Sequence, residues 1–246
     1  MSKHKTDKVK LTENRCQGYG PDYIPFHKAN EGGGRATCYM IPDPIEGRMV
    51  HCLSDTEAMF YYLIRWNQEV VHIREQYLLD HERVCEVRRE LGYKVHNKLC
   101  CYTTDFLVDF RDGRQQAYSV KFRDEDFNPN SKVYQGRGYA YVHLIERQNT
   151  EKRYWESLGV PFYIVTRDRL MEHRTFIKNV AFIEKFWNEE AVVTEEQMLL
   201  YLMAHHIVEF PLDKEFINPK KLTKLVNFDI QKVFEQTVGL RKELLS

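Results

Sequence analysis

No stretch of this 246-residue chain approaches the ~20 consecutive apolar residues of a membrane helix, so no membrane partner is expected. The amino terminus, MSKHKTDKVK, is lysine-rich with no apolar run behind it, which argues against a secretory signal and for a cytoplasmic protein, in a bacterium one of the cytosol or nucleoid. Neither sign of charge is in excess: 36 Lys and Arg balance 36 Asp and Glu, so no global attraction to a polyanion exists, although a local basic face could still serve one. The six cysteines, Cys16, Cys38, Cys52, Cys85, Cys100 and Cys101, include no C-x-x-C pair, and adjacent Cys100 and Cys101 make a poor structural disulfide, so reduced thiols are expected. There is no internal repeat. The triple glycine at 32–34 lacks the Lys-Ser/Thr of a phosphate loop. His205 and His206 are neighbours that cannot share a helical face and have no third ligand at a familiar spacing, while His51, His72 and His143 read as satisfied surface or core histidines.

What remains is ordinary globular material, 43% hydrophobic and 13% aromatic, enough for one large domain or a core domain with a small second one. Residues 1–52, with CQGYGPDYIPF and EGGGR, show no sustained periodicity and read as an irregular arm. Residues 53–172 alternate element types. SDTEAMFYYLIRWNQE reads as a helix capped by Ser54, VVHIREQYLL as a strand, TTDFLVDF and RQQAYSVKF as a hairpin, RDEDFNPNSK as a loop, Gly138 to Leu158 as a long amphipathic helix and VPFYIVT as a buried strand. From residue 173 to 246 the pattern is helical, with a Thr194/Gln197 capping box and Asn218 before Pro219. The fold class is therefore α/β with a small, mostly helical carboxy-terminal domain.

The hairpin carries the chemistry. A three-residue loop, Arg111-Asp112-Gly113, puts glycine at the left-handed position and sets Asp105 opposite Ser119. Asp105, Leu107 and Asp109 then share a face with Ala117, Ser119 and Lys121, leaving Phe106, Val108, Phe110, Tyr118, Val120 and Phe122 as a core layer. A two-residue Asp-Gly turn would set Asp105 opposite Val120 and mix charged and apolar groups on both faces. On spacing alone, Asp105 and Lys121 can be a cross-strand ion pair on a solvated face. They can also be an acid and a cation that hold a divalent metal and polarise a water, given a second carboxylate from elsewhere. Glu57 can supply it, and Ser54-x-x-Glu57 can equally be only a capping box.

Several segments in order resemble the TnsA-like endonuclease subunits of heteromeric cut-and-paste transposases: HCLSDTEAMFYYL, VVHIREQYLL, TTDFLVD, the SVK end of the hairpin and ERQNTEKRYWESLGVPFYIVT, with QGYGPDYIPF before them. The resemblance spans roughly residues 14 to 172. It implies a restriction-endonuclease-like core, a mixed central sheet flanked by helices, with Glu57, Asp105 and Lys121 on catalytic positions. It further implies Mg²⁺, with Mn²⁺ substituting, held by Glu57, Asp105, the main-chain carbonyl of Val120 and, weakly or through water, Ser119. Ser119 stands where many nucleases of this fold carry an acid, and the polar segment from Arg123 to Gln135 is an insertion relative to the family. Arg35, Arg48, Arg137 and Arg147 are the candidate phosphate contacts. The implied partners are a DDE-type transposase subunit (TnsB-like), an AAA+ ATPase regulator (TnsC-like) and transposon-end DNA. The implied role is hydrolysis of the 5′-end strands, with residues 173–246 contacting the regulator and DNA, and a winged helix as one candidate fold for them. A stand-alone restriction or repair nuclease of the same fold and a non-catalytic adaptor between transposase and ATPase are the alternatives.

Overall fold

Gly113 takes φ +82°, the left-handed conformation an odd hairpin loop needs, and its N–H donates to the Phe110 carbonyl at 2.9 Å. The flanking strands, β4 (Thr103–Phe110) and β5 (Gln115–Lys121), pair Phe106 with Tyr118 and Leu107 with Ala117, the register that sets Asp105 across from Ser119. In the computed structural model, residues 5–31, 37–95, 101–134 and 137–245 are described. Arg35, the triple glycine, Cys100 and Gln135 lie outside them.

Two more strands complete the sheet. β3 (Val70–Leu78) pairs antiparallel with β4, and β6 (Phe162–Thr166) pairs parallel with β5, giving the order β3-β4-β5-β6. A parallel pair requires a crossover, here made through helix α4 (Gly138–Ser157). Helix α2 (Asp55–Arg65) covers one face: the Phe60 ring lies 5.3 Å from that of Phe106 and 4.8 Å from that of Tyr118. The other face is not solvated. Leu107 and Ala117 are buried there with Val84 and Val87 of α3 (His81–Glu90) and Tyr154 and Trp155 of α4. Asp105, Ser119 and Lys121 thus emerge on a helix-covered face, because a sheet sandwiched between helices buries both sides of its strands. Helix α3 was not expected from the sequence. Its signals are weak: Asp80 accepts from the Arg83 N–H as N-cap, and only Val84 and Val87 mark an inward stripe in HERVCEVRRE.

The described residues of the first 52 are more ordered than their composition indicates. After α1 (Asp7–Thr12), strands β1 (Tyr39–Asp43) and β2 (Arg48–Cys52) form a hairpin. This arm satisfies the outer edge of β3. Ile73 N–H donates to Glu46 Oε1 at 2.9 Å, Arg48 Nη2 to the Ile73 carbonyl at 2.6 Å, Tyr23 Oη to the Glu75 carbonyl at 2.8 Å, and Phe26 N–H to the Gln76 carbonyl at 3.2 Å. An edge strand left bare would pair with other chains, and side chains from an aperiodic segment remove that edge.

The chain divides into two compact units, Met1–Glu172 and His173–Ser246. The first closes with α5 (Arg167–Glu172). The second contains α6 (Arg174–Ile183), α7 (Glu195–Ala204), α8 (Pro219–Leu222) and α9 (Ile230–Leu245). The Thr194/Gln197 capping box and the Asn218 cap both form. A winged helix needs a strand pair, and the described residues of this unit contain no strand. Buried Asn179 instead takes backbone groups of the segment between α7 and α8, donating to the carbonyls of Leu212 and Glu215 at 2.8 Å each and accepting from Ile217 N–H at 3.0 Å. No helix among the described residues is long and apolar enough to cross a membrane.

Candidate active site

The hairpin register brings Asp105, Ser119 and Lys121 into one hydrogen-bonded cluster. Asp105 Oδ2 accepts from Val120 N–H at 2.6 Å, Lys121 Nζ at 3.1 Å and Ser119 Oγ at 3.2 Å. Lys121 Nζ also donates to Ser119 Oγ at 2.6 Å and to the Val120 carbonyl at 3.1 Å. Ser119 is fully buried, whereas the Lys121 and Asp105 side chains are 21% and 16% exposed. Asp105 Oδ1 accepts no hydrogen bond among the described residues.

Glu57 stands at the start of α2, and its carboxylate is used more fully than a capping box requires. Its Oε2 accepts from Leu53 N–H at 2.8 Å and Gln76 Nε2 at 3.3 Å, and its Oε1 from Ser54 Oγ at 3.1 Å. Gln76 has φ +49°, sparsely populated for a non-glycine residue, at the point in β3 between the pairs Glu75–Phe106 and Tyr77–Thr104, that is, across from Asp105. Burial pushes the Glu57 carboxyl up to about 7, and the Asp105 charge pushes the same way against the Leu53 and Ser54 hydrogen bonds and Lys121.

A further acid, one the sequence did not single out, faces the same cluster. Glu151 on α4 is 1% exposed, and its Oε1 accepts from Arg147 Nε at 3.0 Å. Burial raises its carboxyl to about 7. Arg147 and Lys121 oppose that rise, and Asp105 reinforces it. Glu151 Oε2 and both amide atoms of neighbouring Gln148 are buried without a hydrogen-bond partner among the described residues. The available signal was the spacing Gln148, Glu151, Trp155, an inward helical stripe whose polar members sit one and two turns before the tryptophan that packs on Leu107.

The arginines divide. The Arg48 side chain is 6% exposed, with Nη1 and Nη2 each 2.8 Å from a Glu75 oxygen, so its guanidinium is already engaged by a carboxylate. Arg147 keeps its side chain 45% exposed while also donating to the Thr103 carbonyl at 3.2 Å, and so borders the site. Arg137 is exposed at the N-cap of α4. Asp109, on the same face of β4 as Asp105, is taken by Arg74, whose Nη2 and Nε lie 2.8 and 3.0 Å from its two oxygens.

No three His, Cys, Asp or Glu side chains among the described residues stand together at metal-binding distance. The electrostatics nevertheless fit a cation. Burial, reinforced by the negative charge of Asp105, raises two carboxyls to about 7, and one buried carboxylate oxygen has no hydrogen-bond partner among the described residues. Oxygen-rich, under-neutralised surroundings of this kind suit a hard divalent ion.

A mixed sheet between helices, with an Asp and a Lys joined across adjacent strands and buried acids on either side, has the makings of a hydrolytic phosphodiester site. Residues 67–167 match the family model described as TnsA-like endonuclease N terminal, a span that includes Asp105, Ser119, Lys121 and Glu151 and leaves Glu57 outside. Over 212 residues the chain is 26% identical to "Transposon Tn7 transposition protein TnsA" of Escherichia coli, covering 85% of this chain and 72% of that protein. The segment that carries the Asp105–Ser119–Lys121 cluster is thus similar to the amino-terminal domain of TnsA-like endonucleases, and the chain as a whole to a Tn7 transposition protein.

Proposed function

We propose that this protein is the metal-dependent endonuclease subunit of a heteromeric transposase and hydrolyses the 5′-end strands at transposon ends. The observation that carries the proposal is the Asp105–Ser119–Lys121 cluster with two buried acids, Glu57 and Glu151, near enough that the Asp105 charge adds to the rise of both carboxyls. A structural ion pair has no use for such surplus acidity, since each added buried acid only raises the cost of ionisation.

Bound Mg²⁺ or Mn²⁺, held by Glu57 and Asp105 with Glu151, the Val120 carbonyl and the Ser119 hydroxyl beside them, would supply a polarised water and offset phosphate charge. The chain's own groups do the rest. Val120 N–H and Ser119 Oγ fix the Asp105 carboxylate, leaving Oδ1 as its open oxygen. Lys121, already ordered by three oxygens, stabilises the charge that develops on the scissile phosphate. Ser119 is neutral, so the ion would lean on substrate phosphate for part of its coordination.

The similarity to a Tn7 transposition protein supports a role in a complex with a DDE-type transposase, an AAA+ regulator and transposon-end DNA. The test is strand-resolved cleavage of end DNA by the purified chain, alone and with a cognate DDE subunit, across a Mg²⁺ titration. Metal-dependent 5′-strand cuts that require the partner support the reading. Robust partner-free cutting of arbitrary duplex would favour a stand-alone nuclease of the same fold. No 5′-strand cut at any metal concentration, with the partner bound and active on its own strand, would favour the adaptor.

A further inference from the structure

We infer that Gln76 is a positioning residue for the metal site: its left-handed backbone and its side-chain amide fix the Glu57 carboxylate relative to Asp105. This rests on the proposed function for the bound group, a divalent cation, and on the geometry of β3 for the rest.

Side chains of a regular strand alternate, so Arg74 and Gln76 would share one face and Tyr77 would lie on the other. They do not. The Arg74 guanidinium lies over the Tyr77 ring, 5.0 Å from its centroid, and that ring is 5.9 Å from Trp155 of α4, so Arg74 and Tyr77 share the α4 side. The break falls at Gln76, whose φ of +49° interrupts the strand. Released from the alternation, Gln76 is 3% exposed and reaches the start of α2, donating from Nε2 to Glu57 Oε2 at 3.3 Å.

The three donors to the Glu57 carboxylate are not equivalent. Leu53 N–H and Ser54 Oγ belong to the turn that starts α2 and move with Glu57. Gln76 Nε2 is the donor among the described residues that comes from the sheet, at the position of β3 across from Asp105. It therefore sets where one acid stands relative to the other. Mg²⁺ demands near-ideal octahedral geometry, so ligands on separate elements must be held in register by groups behind them.

The kink is itself held from the arm. The Gln76 carbonyl accepts from Phe26 N–H at 3.2 Å and from Cys16 Sγ at 3.5 Å. On either side, Leu78 N–H donates to Cys16 Sγ at 3.3 Å and Tyr23 Oη to the Glu75 carbonyl at 2.8 Å. A sparsely populated backbone persists only where its surroundings over-determine it, and such residues cluster at functional sites.

The test compares Gln76→Met, which keeps length and bulk but has no N–H, with Gln76→Gly, which adopts the left-handed backbone without strain and has no amide either. Both are made in the full-length chain and melted without metal to establish that they fold; where Gln76→Met does not, Gln76→Gly carries the comparison. Mn²⁺ affinity of the DNA-free protein is read by isothermal titration, and cleavage of end DNA with a cognate DDE subunit is followed across a Mg²⁺ titration. Both variants are expected to bind Mn²⁺ at least about tenfold more weakly and to need correspondingly more Mg²⁺ for half-maximal cleavage, with the rate at saturating Mg²⁺ within about threefold of wild type. A merely structural role would lower Tm and leave the metal midpoint in place. Wild-type Mn²⁺ affinity in both variants would overturn the inference, as would wild-type affinity in Gln76→Gly alone, since the kink and not the amide would then set the site. Failure of the proposed function would instead appear in the wild-type chain, as no Mn²⁺ binding and no metal-dependent cut.

Discussion

The two ends of β4 carry the same chemistry to different ends. Asp105 and Asp109 lie on one face of one strand, four residues apart, and both meet a cation. Asp109 meets Arg74 through two oxygens, accepts from Gln115 Nε2 at 2.5 Å, and shares these contacts with no other acid among the described residues, while Arg74 is stacked between the rings of Tyr19 and Tyr77 at 4.7 and 5.0 Å. There charge is matched and the contact is closed. Asp105 meets Lys121 through one oxygen, and Glu57 and Glu151 feel its charge as repulsion. An ion pair that balances itself is a staple of the fold; one embedded in surplus acid is poised to bind something positive.

The largest expected effect separates these two ends. Asp105→Ala and Lys121→Ala should each lower the cleavage rate at least about 100-fold, by removal of the central carboxylate or of the cation facing phosphate. Asp109→Ala should leave the rate of the folded protein nearly unchanged and instead cost on the order of 3 kcal/mol of stability, because Arg74 stays buried without its anion. Rate assays paired with urea melts check both, and equal rate losses at the two aspartates would erase the distinction.

Ser119→Ala sharpens the comparison at intermediate size. Ser119 Oγ relays between Lys121 and Asp105 but is neutral, and both charged partners keep direct contact without it. The expected loss is about tenfold in rate, with nicking still measurable at saturating Mg²⁺, since Lys121 still reaches the Asp105 carboxylate and the Val120 carbonyl without the hydroxyl. A variant as inactive as Asp105→Ala in the same titration would mean that Ser119 holds the ion directly.

The smallest effect is read as stability against pH. A carboxyl whose folded pKa is raised to about 7 stabilises the fold while protonated. That contribution is complete below the ordinary 4.5 and is lost as pH rises to about 7. Metal-free protein should therefore lose a few degrees of Tm between those limits and level off above them. Glu151→Gln, uncharged throughout, should flatten part of that slope, and Mg²⁺ should raise the wild-type Tm more at about pH 8 than at about pH 5, where the carboxyls are protonated. A flat wild-type profile in differential scanning calorimetry would remove the argument for surplus acidity.

Much of this was legible in the chain itself. A three-residue loop with glycine in third place has one comfortable register, and that register alone set Asp105 across from Ser119, with Lys121 one step further along the face. The α4 span, the Ser54 and Thr194 caps and the change of pattern near residue 172 are likewise local, because capping and helical periodicity involve residues within a turn or two of one another. The arm was not legible, since its order comes from long-range bonds to the edge of β3 that leave no period. Nor was the fate of the arginines: Arg48 finds Glu75 and Arg147 finds Glu151 through folding, and a guanidinium looks the same in sequence whether it will face a carboxylate or water. Above all, the surplus acid around Asp105 exists only in three dimensions. Glu57 at the start of α2 and Glu151 midway along α4 are ordinary acids of polar helices until packing buries them, and what raises their carboxyls is desolvation and nearby charge, which depend on distances the sequence does not contain.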